Sequence, residues 1–292
     1  MVMKKKRNIL EDSIQLIFTL LGLVTVGCVL LISGYLIVSG LPAIREIGLV
    51  PFLFGTAWEP TGSNPQYGIL PFILTSLAGT AGAVLVGVPV GFLTAVYLAK
   101  MATPRVKGVV GQAVSMLAGI PSVVYGLVGM MVLVPGIRKL FGIPDGASLL
   151  AAILVLAIMI LPSIIKMSVT ALEAVPREYE DASLALGATP EETWMRVSVP
   201  AAKSGIAAAV VQGVGRAIGE AMAVMMVAGN VANLPDSLFQ SVCFLTTAVA
   251  KEMSYSSGLH RQALFSIALV LFLFIMLINA LLNFFLKGDR TK

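Results

Sequence analysis

The sequence predicts an all-α integral membrane protein with six transmembrane helices, a polar two-helix loop on the cytoplasmic side and a short re-entrant or interfacial helix on the outer side. Three observations predict it. Of 292 residues, 58% are hydrophobic and 12% are charged, whereas soluble globular domains carry about a quarter charged residues. Six apolar runs approach or exceed the roughly 20 residues that cross a hydrocarbon layer, and they alternate with charged or turn-rich loops. The basic residues are divided unevenly between the two sets of loops. Lys4 to Arg7, Lys100, Arg105, Lys107, Lys166, Arg177, Arg196, Lys203, Lys287, Arg290 and Lys292 fall on one side. Only Arg45, Arg138, Lys139, Lys251 and Arg261 fall on the other. The richer side, holding both termini and the polar loop, is the cytoplasmic one.

Residues 1–12 read as a basic cytoplasmic tail, and 13–292 as a single membrane domain. The first span covers about residues 14–40. Its uncharged run is longer than the roughly 7 to 15 residues of a signal-peptide core and has no small-residue cleavage site, so it is retained. A turn-rich outer loop follows, with Trp58-Glu59-Pro60 and Gly62-Ser63-Asn64-Pro65. The second span is 69–99. The third, 108–135, contains Gly119, Pro121 and Gly126, which weaken a helix; Ser122 and Tyr125 can satisfy the backbone groups set free there. A broken helix near the midplane is a common place for a transport site or hinge, and a tolerated kink is the alternative. The fourth span is 147–167, with a kink at Pro162, followed by the polar loop at 171–200 and the fifth and sixth spans at 203–229 and 263–286. Residues 237–250 are uncharged but too short to cross. Counting them as a span would also place the basic C-terminal residues outside, so they read as the short outer helix.

Within the polar loop, Leu172, Val175, Tyr179, Ala182 and Leu186 recur at helical spacing, and Gly187 suits the stop. Thr189, Pro190 and Glu192 have the spacing of a capping box that starts a second helix. Two short helices joined by a tight turn and rimmed by Glu178, Glu180, Asp181, Glu191 and Glu192 form a knob suited to a groove on another protein.

Arg216 is the one basic residue left inside a span. Counted from Ser204 it lies roughly 18 Å along the helix at about 1.5 Å per residue. Glu220 follows four residues later on the same helical face. Charges at such depth cost about 3 kcal/mol or more unless they face protein or water. Two readings follow. Arg216 offers a forked donor set to a tetrahedral oxyanion, with Glu220 holding and competing for it; or the two form a structural pair that fixes helix rotation. Gly205, Ala209, Gly213, Ala217 and Ala221 make one small-residue row on this helix, and Gly215 and Gly219 another, allowing close helix approach.

Asp181-Ala182-Ser183, Gly187, Val197 and Val199-Pro200 have the spacing of the EAA loop of ABC importer permeases, which they resemble despite Asp for Glu, Ser for Ala and Val for Leu. Gly215 to Val224, Gly119 to Gly126, Trp58-Glu59-Pro60 and Tyr67 to Phe72 together resemble the phosphate ABC importer permeases of the PstC type. The resemblance implies the type I permease fold and an inner-membrane location, with import of inorganic phosphate by alternating access. It implies that Asp181, Ala182, Ser183 and Gly187 meet an ATPase subunit, and that Arg216 and Glu220 lie on the phosphate path, with Ser122 and Tyr125 as further candidates. The implied partners are an ATPase dimer, a second homologous permease, an extracytoplasmic phosphate-binding protein and membrane lipid.

No enzymatic activity, cofactor, metal or nucleic-acid partner is expected of this chain. It has no phosphate-binding loop for ATP, and Gly213 to Gly219 departs from the dinucleotide fingerprint by one residue. Cys28 and Cys243 read as buried structural thiols, and His260 as a loop histidine. The alternatives are another oxyanion as cargo (phosphite, sulfate or molybdate) and an ion-coupled transporter or channel, which would not need the docking loop.

Overall fold

The computed structural model describes residues 9–288, and side chains within 13–281. The N-terminal tail with Lys4 to Arg7, the C-terminal Arg290 and Lys292, and the Lys287 side chain lie outside the described residues.

Helix α1 (Ile9–Ile47) leads through the short α2 (Leu49–Phe54) into a two-stranded hairpin, β1 (Trp58–Glu59) and β2 (Gln66–Tyr67), with Trp58 opposite Tyr67. Helix α3 (Leu70–Val96) follows and ends in a wide π-helical turn, Tyr97–Met101. At about 1.5 Å per residue α3 is some 40 Å long, so the hairpin and Lys100 sit at opposite ends of the bundle. Helix α4 (Pro104–Gly119) starts on Thr103, whose hydroxyl accepts from the Val106 amide. The chain then breaks at Ile120 and Pro121 and restarts as α5 (Ser122–Val128), a second π turn (Gly129–Leu133) and α6 (Val134–Phe141). The expected third span at 108–135 is thus not one helix. A proline has no donor for the preceding turn, and Ile120 and Pro121 take extended ψ angles of 127° and 142°.

Helix α7 (Leu149–Glu173) is the centre of the molecule, buried along most of its length despite its interior Pro162. Two small-residue faces let its neighbours close on it. On α3, a Cβ at Gly82, Gly87 or Gly91 would meet Ile153, Ile160 or Ile164 at 2.5, 2.7 and 2.9 Å. On the later helix α11 (Lys203–Gly219), Gly205 abuts Ala171 and Gly213 abuts Ile164, while Ala209 and Ala217 are buried. The row at Gly215 and Gly219 behaves differently: nothing lies within 4 Å of a Cβ placed there.

Between α7 and α11 the polar loop forms α8 (Arg177–Ala185), α9 (Pro190–Thr193), a third π turn (Trp194–Ser198) and α10 (Val199–Ala201), which bends by 70° into α11. Leu172 and Val175 belong to the α7 end and are buried, whereas Tyr179 and Leu186 are exposed, because the chain leaves the helix before Pro176. The expected five-residue stripe is therefore split. Helix α11 stops at Gly219, and α12 (Met222–Val227) begins after a break at Glu220, so residues 203–229 are two helices rather than one. Residues 228–244 are not helical. They run back past the start of α7, where Gln240 and Leu238 carbonyls accept from the Leu149 and Leu150 amides. Those amides have no partner within their own helix, so the helix expected over 237–250 is confined to α13 (Leu245–Glu252). Its first amide donates to Ser76 on α3 at 3.0 Å. Helix α14 (Gly258–Gly288) completes the fold and packs on α1, with the Ser266 hydroxyl donating to the Gly40 carbonyl at 2.5 Å.

Five helices among the described residues are long and apolar enough to cross a membrane, and the bent pair Pro190–Ala201 and Lys203–Gly219 makes a sixth if taken as one span. Cys28 departs from expectation: it is exposed on α1, while Cys243 is buried.

Candidate substrate path and coupling loop

The two helix breaks lie against each other. Helix α5 packs on α12, and a Cβ at Gly126 would meet the Ala223 Cα at 2.9 Å and the Met226 sulfur at 2.8 Å. Each break is closed by one side chain. The Tyr125 hydroxyl donates to the Leu117 carbonyl at 2.8 Å, reaching back across the first break to an acceptor in the last turn of α4. At the second break Glu220 is extended, with ψ 130°, and its Oε1 accepts from the Ala223 amide at 3.0 Å, capping α12. From the other side, the Thr246 hydroxyl donates to the Glu220 carbonyl at 2.8 Å.

Arg216 and Glu220 therefore do not form the pair that their four-residue spacing predicts. That spacing brings side chains together only on a continuous helix, and here the helix ends at Gly219. No ion pair joins them among the described residues. Arg216 is half-buried, and it acts electrostatically on the Tyr125 phenol. The structure thus brings Arg216, Tyr125 and Glu220 to one pair of breaks, with Ser122 at the start of α5. Beside them a cavity of about 1110 Å³ opens between α5, α6 and α7. Its lining is apolar, with Val124, Tyr125, Leu154 and Ile158 among the walls and Lys139 the one charged residue. Arg216 does not line it, so it is not a ready anion chamber.

At the other end of α3 the loop is held by a residue that sequence reasoning placed on its solvated rim. The Glu180 carboxylate pairs with Lys100, and its Oε1 also accepts from the Ser198 hydroxyl at 2.7 Å. Burial opposes the charge on Glu180, but these two hydrogen bonds, with the nearby charges of Lys100 and Arg177, prevail and hold its carboxyl below the usual value. Lys107 and Glu173 pair at the surface beside it. Ser183 and Thr193 share a hydrogen bond at 2.9 Å that ties α8 to α9. The capping box at Thr189 is formed: its hydroxyl accepts from the Glu192 amide, and the Glu192 carboxylate from the Thr189 amide. Gly187 turns the chain with φ +89°, which favours glycine. Asp181, Ala182 and Gly187 are left exposed.

His260 is likewise not a loop residue. It is buried in the first turns of α14, with its Nε2 at 2.9 Å from the Glu252 carboxylate, which also accepts from the Trp58 indole at 3.0 Å. Nothing in the local sequence marks this cluster: Trp58, Glu252 and His260 each stand beside a charged residue, and Trp58 lies 194 residues from Glu252.

Over residues 87–288 the sequence matches the family described as binding-protein-dependent transport system inner membrane component. The chain belongs to that family. This inner membrane component is 39% identical over 286 residues to the probable ABC transporter permease protein YqgH of Bacillus subtilis, covering 95% of this chain and 93% of that one. It is 32% identical over 296 residues to the phosphate transport system permease protein PstC of Haemophilus influenzae, covering 94% and 92%. A solved structure of the MetNI methionine ABC transporter in an inward facing conformation matches with a TM-score of 0.60 at 20% identity, over 75% of this chain and 95% of that one. The fold is that of an ABC importer permease, and the protein is a multi-pass inner-membrane subunit.

Proposed function

We propose that this chain is the permease subunit of an ATP-driven importer that moves inorganic phosphate into the cytoplasm by alternating access, with ATP bound and hydrolysed on a partner subunit. The observation that carries the reading is Arg216, a half-buried guanidinium in a membrane helix, beside a helix break and without a carboxylate partner among the described residues. A guanidinium in that setting gains most from a transient oxyanion, whose oxygens match its fork of donors. Relatives named as phosphate permeases support phosphate as that oxyanion.

In this reading Arg216 binds the passing anion, and Glu220 keeps the break open by capping α12. Tyr125 fixes the facing break, and Ser122 offers a hydroxyl to the path. The open Gly215 and Gly219 row, on the same helix as Arg216, is where a second homologous permease approaches. The exposed Asp181, Ala182 and Gly187, with Ser183 behind them, meet the ATPase subunits on the cytoplasmic side, where both termini also lie. An extracytoplasmic phosphate-binding protein delivers cargo at the end carrying the hairpin.

The test is ATP-dependent uptake of radiolabelled phosphate into vesicles holding the complete transporter, with sulfate and molybdate as competitors. Arg216→Lys keeps the charge and loses the fork, and uptake is expected to fall at least tenfold while the ATPase subunits stay assembled. Full uptake in Arg216→Lys and Arg216→Ala would remove Arg216 from the path; strong competition by sulfate or molybdate would change the cargo.

A further inference from the structure

At the end of the bundle away from the coupling loop, a cavity of about 370 Å³ lies between the hairpin, the end of α13 and the start of α14. Trp58, Glu59, Thr61, Glu252, Tyr255 and His260 line it. Its chemistry runs opposite to that of the proposed cargo. Two carboxylates face it, no lysine or arginine does, and an oxyanion would be repelled.

Glu252 is the fixed part. Its side chain is 12% exposed, and a single oxygen, Oε2, takes both the Trp58 indole and the His260 ring. Its second oxygen has no hydrogen-bond partner among the described residues. A pocket-lining carboxylate that makes both its bonds through one oxygen keeps capacity for a further charge-assisted donor on the other. The walls add to the preference, because Trp58 and the exposed Tyr255 line the pocket and aromatic rings attract an organic cation. Partial desolvation, with the Glu252 charge beside it, pushes the Tyr255 phenol above its usual value. Glu59 is exposed on the rim and supplies the second charge. Among the described residues no three His, Cys, Asp or Glu side chains are grouped to hold a metal ion, so a side-chain cation fits the chemistry better than a bare one.

We propose that this pocket is a socket for a lysine or arginine side chain presented by the extracytoplasmic phosphate-binding protein when it docks, an inference that rests on the importer reading above. The socket also lies on a direct line to the candidate path. Helix α13 carries Glu252 at one end and, at the other, Thr246, which holds the Glu220 carbonyl.

The experiment measures binding of the phosphate-loaded binding protein to the assembled transporter in nanodiscs, for wild type, Glu252→Gln and Glu59→Lys, at low and high salt. Both substitutions are expected to weaken docking by about tenfold or more and to flatten its salt dependence. Glu59→Lys sits on an exposed turn outside the Glu252 hydrogen bonds, so it reports even if Glu252→Gln disturbs assembly. Wild-type binding that is unchanged by either substitution would overturn the socket and leave the importer reading intact. Absence of wild-type binding would refute the importer reading, and the socket with it.

Discussion

Replacing Glu180 by Ala should loosen the coupling loop far more than its place among five acidic residues suggests. Lys100 is only 10% exposed at its side chain and Glu180 only 20%, so removing the carboxylate leaves an ammonium with little water and no counter-charge. Breaking a buried ion pair from one side costs about 3 to 5 kcal/mol, and the orphaned Ser198 hydroxyl adds to it. The pair ties the loop to the bundle beside the apolar cluster of Val96, Leu172, Val175 and Ala202, so its loss should appear as local opening. Amide hydrogen exchange over residues 177–200 should quicken by roughly a hundredfold or more, since each 1.4 kcal/mol is a factor of ten. Glu180→Ala combined with Lys100→Met removes both charges and should recover much of the protection. An increase below about threefold in Glu180→Ala, or a double variant as unprotected as the single one, would refute the claim that the pair anchors the loop.

The same carboxyl gives a pH dependence of known sign. Its folded value lies below the ordinary 4.5, so its contribution is complete above that value and is lost as pH falls through the folded one. Loop protection, corrected for intrinsic exchange, should be flat from about pH 6 to 8 and decline below about pH 4. Gly87→Ala places a Cβ 2.7 Å from the Ile160 Cδ1 and 3.1 Å from the Ala157 carbonyl oxygen, and should lower thermal stability in detergent by about 1 to 3 kcal/mol. An unshifted melting curve would mean that α3 and α7 separate easily. Tyr125→Phe keeps the ring and loses the bond to the Leu117 carbonyl. About 1 kcal/mol is at stake, read as roughly fivefold faster exchange of the amides near residues 117–125.

Most of the architecture was legible because bilayer-spanning helices have a strong and simple signature. Apolar length marks the long helices, and the punctuation at Gly187 and Thr189 to Glu192 marks the turn of the loop and its second helix. What escaped was set by contacts between distant residues. Glu180 looks like Glu178 or Glu191 in the sequence, and only the approach of Lys100 from α3 distinguishes it. The pairing of Arg216 with Glu220 was inferred from helical periodicity, which fails when the helix ends between them; no proline marks that break. Residues 228–244 pair through their backbone with the start of α7, and no side-chain pattern announces such pairing. Pro121, by contrast, advertised its break.

Both donors that hold Glu180 stand on π-helical turns, Lys100 in Tyr97–Met101 and Ser198 in Trp194–Ser198. A π turn is an α-helix with one residue inserted. The wider turn takes up that extra residue without rotating the helix beyond it, so the flanking helices keep their faces. An extra residue placed elsewhere in α3 would have no such outlet and would rotate Lys100 by about 100°, the angle between successive residues, away from the carboxylate. Attachment of the coupling loop is therefore a matter of winding as much as of charge.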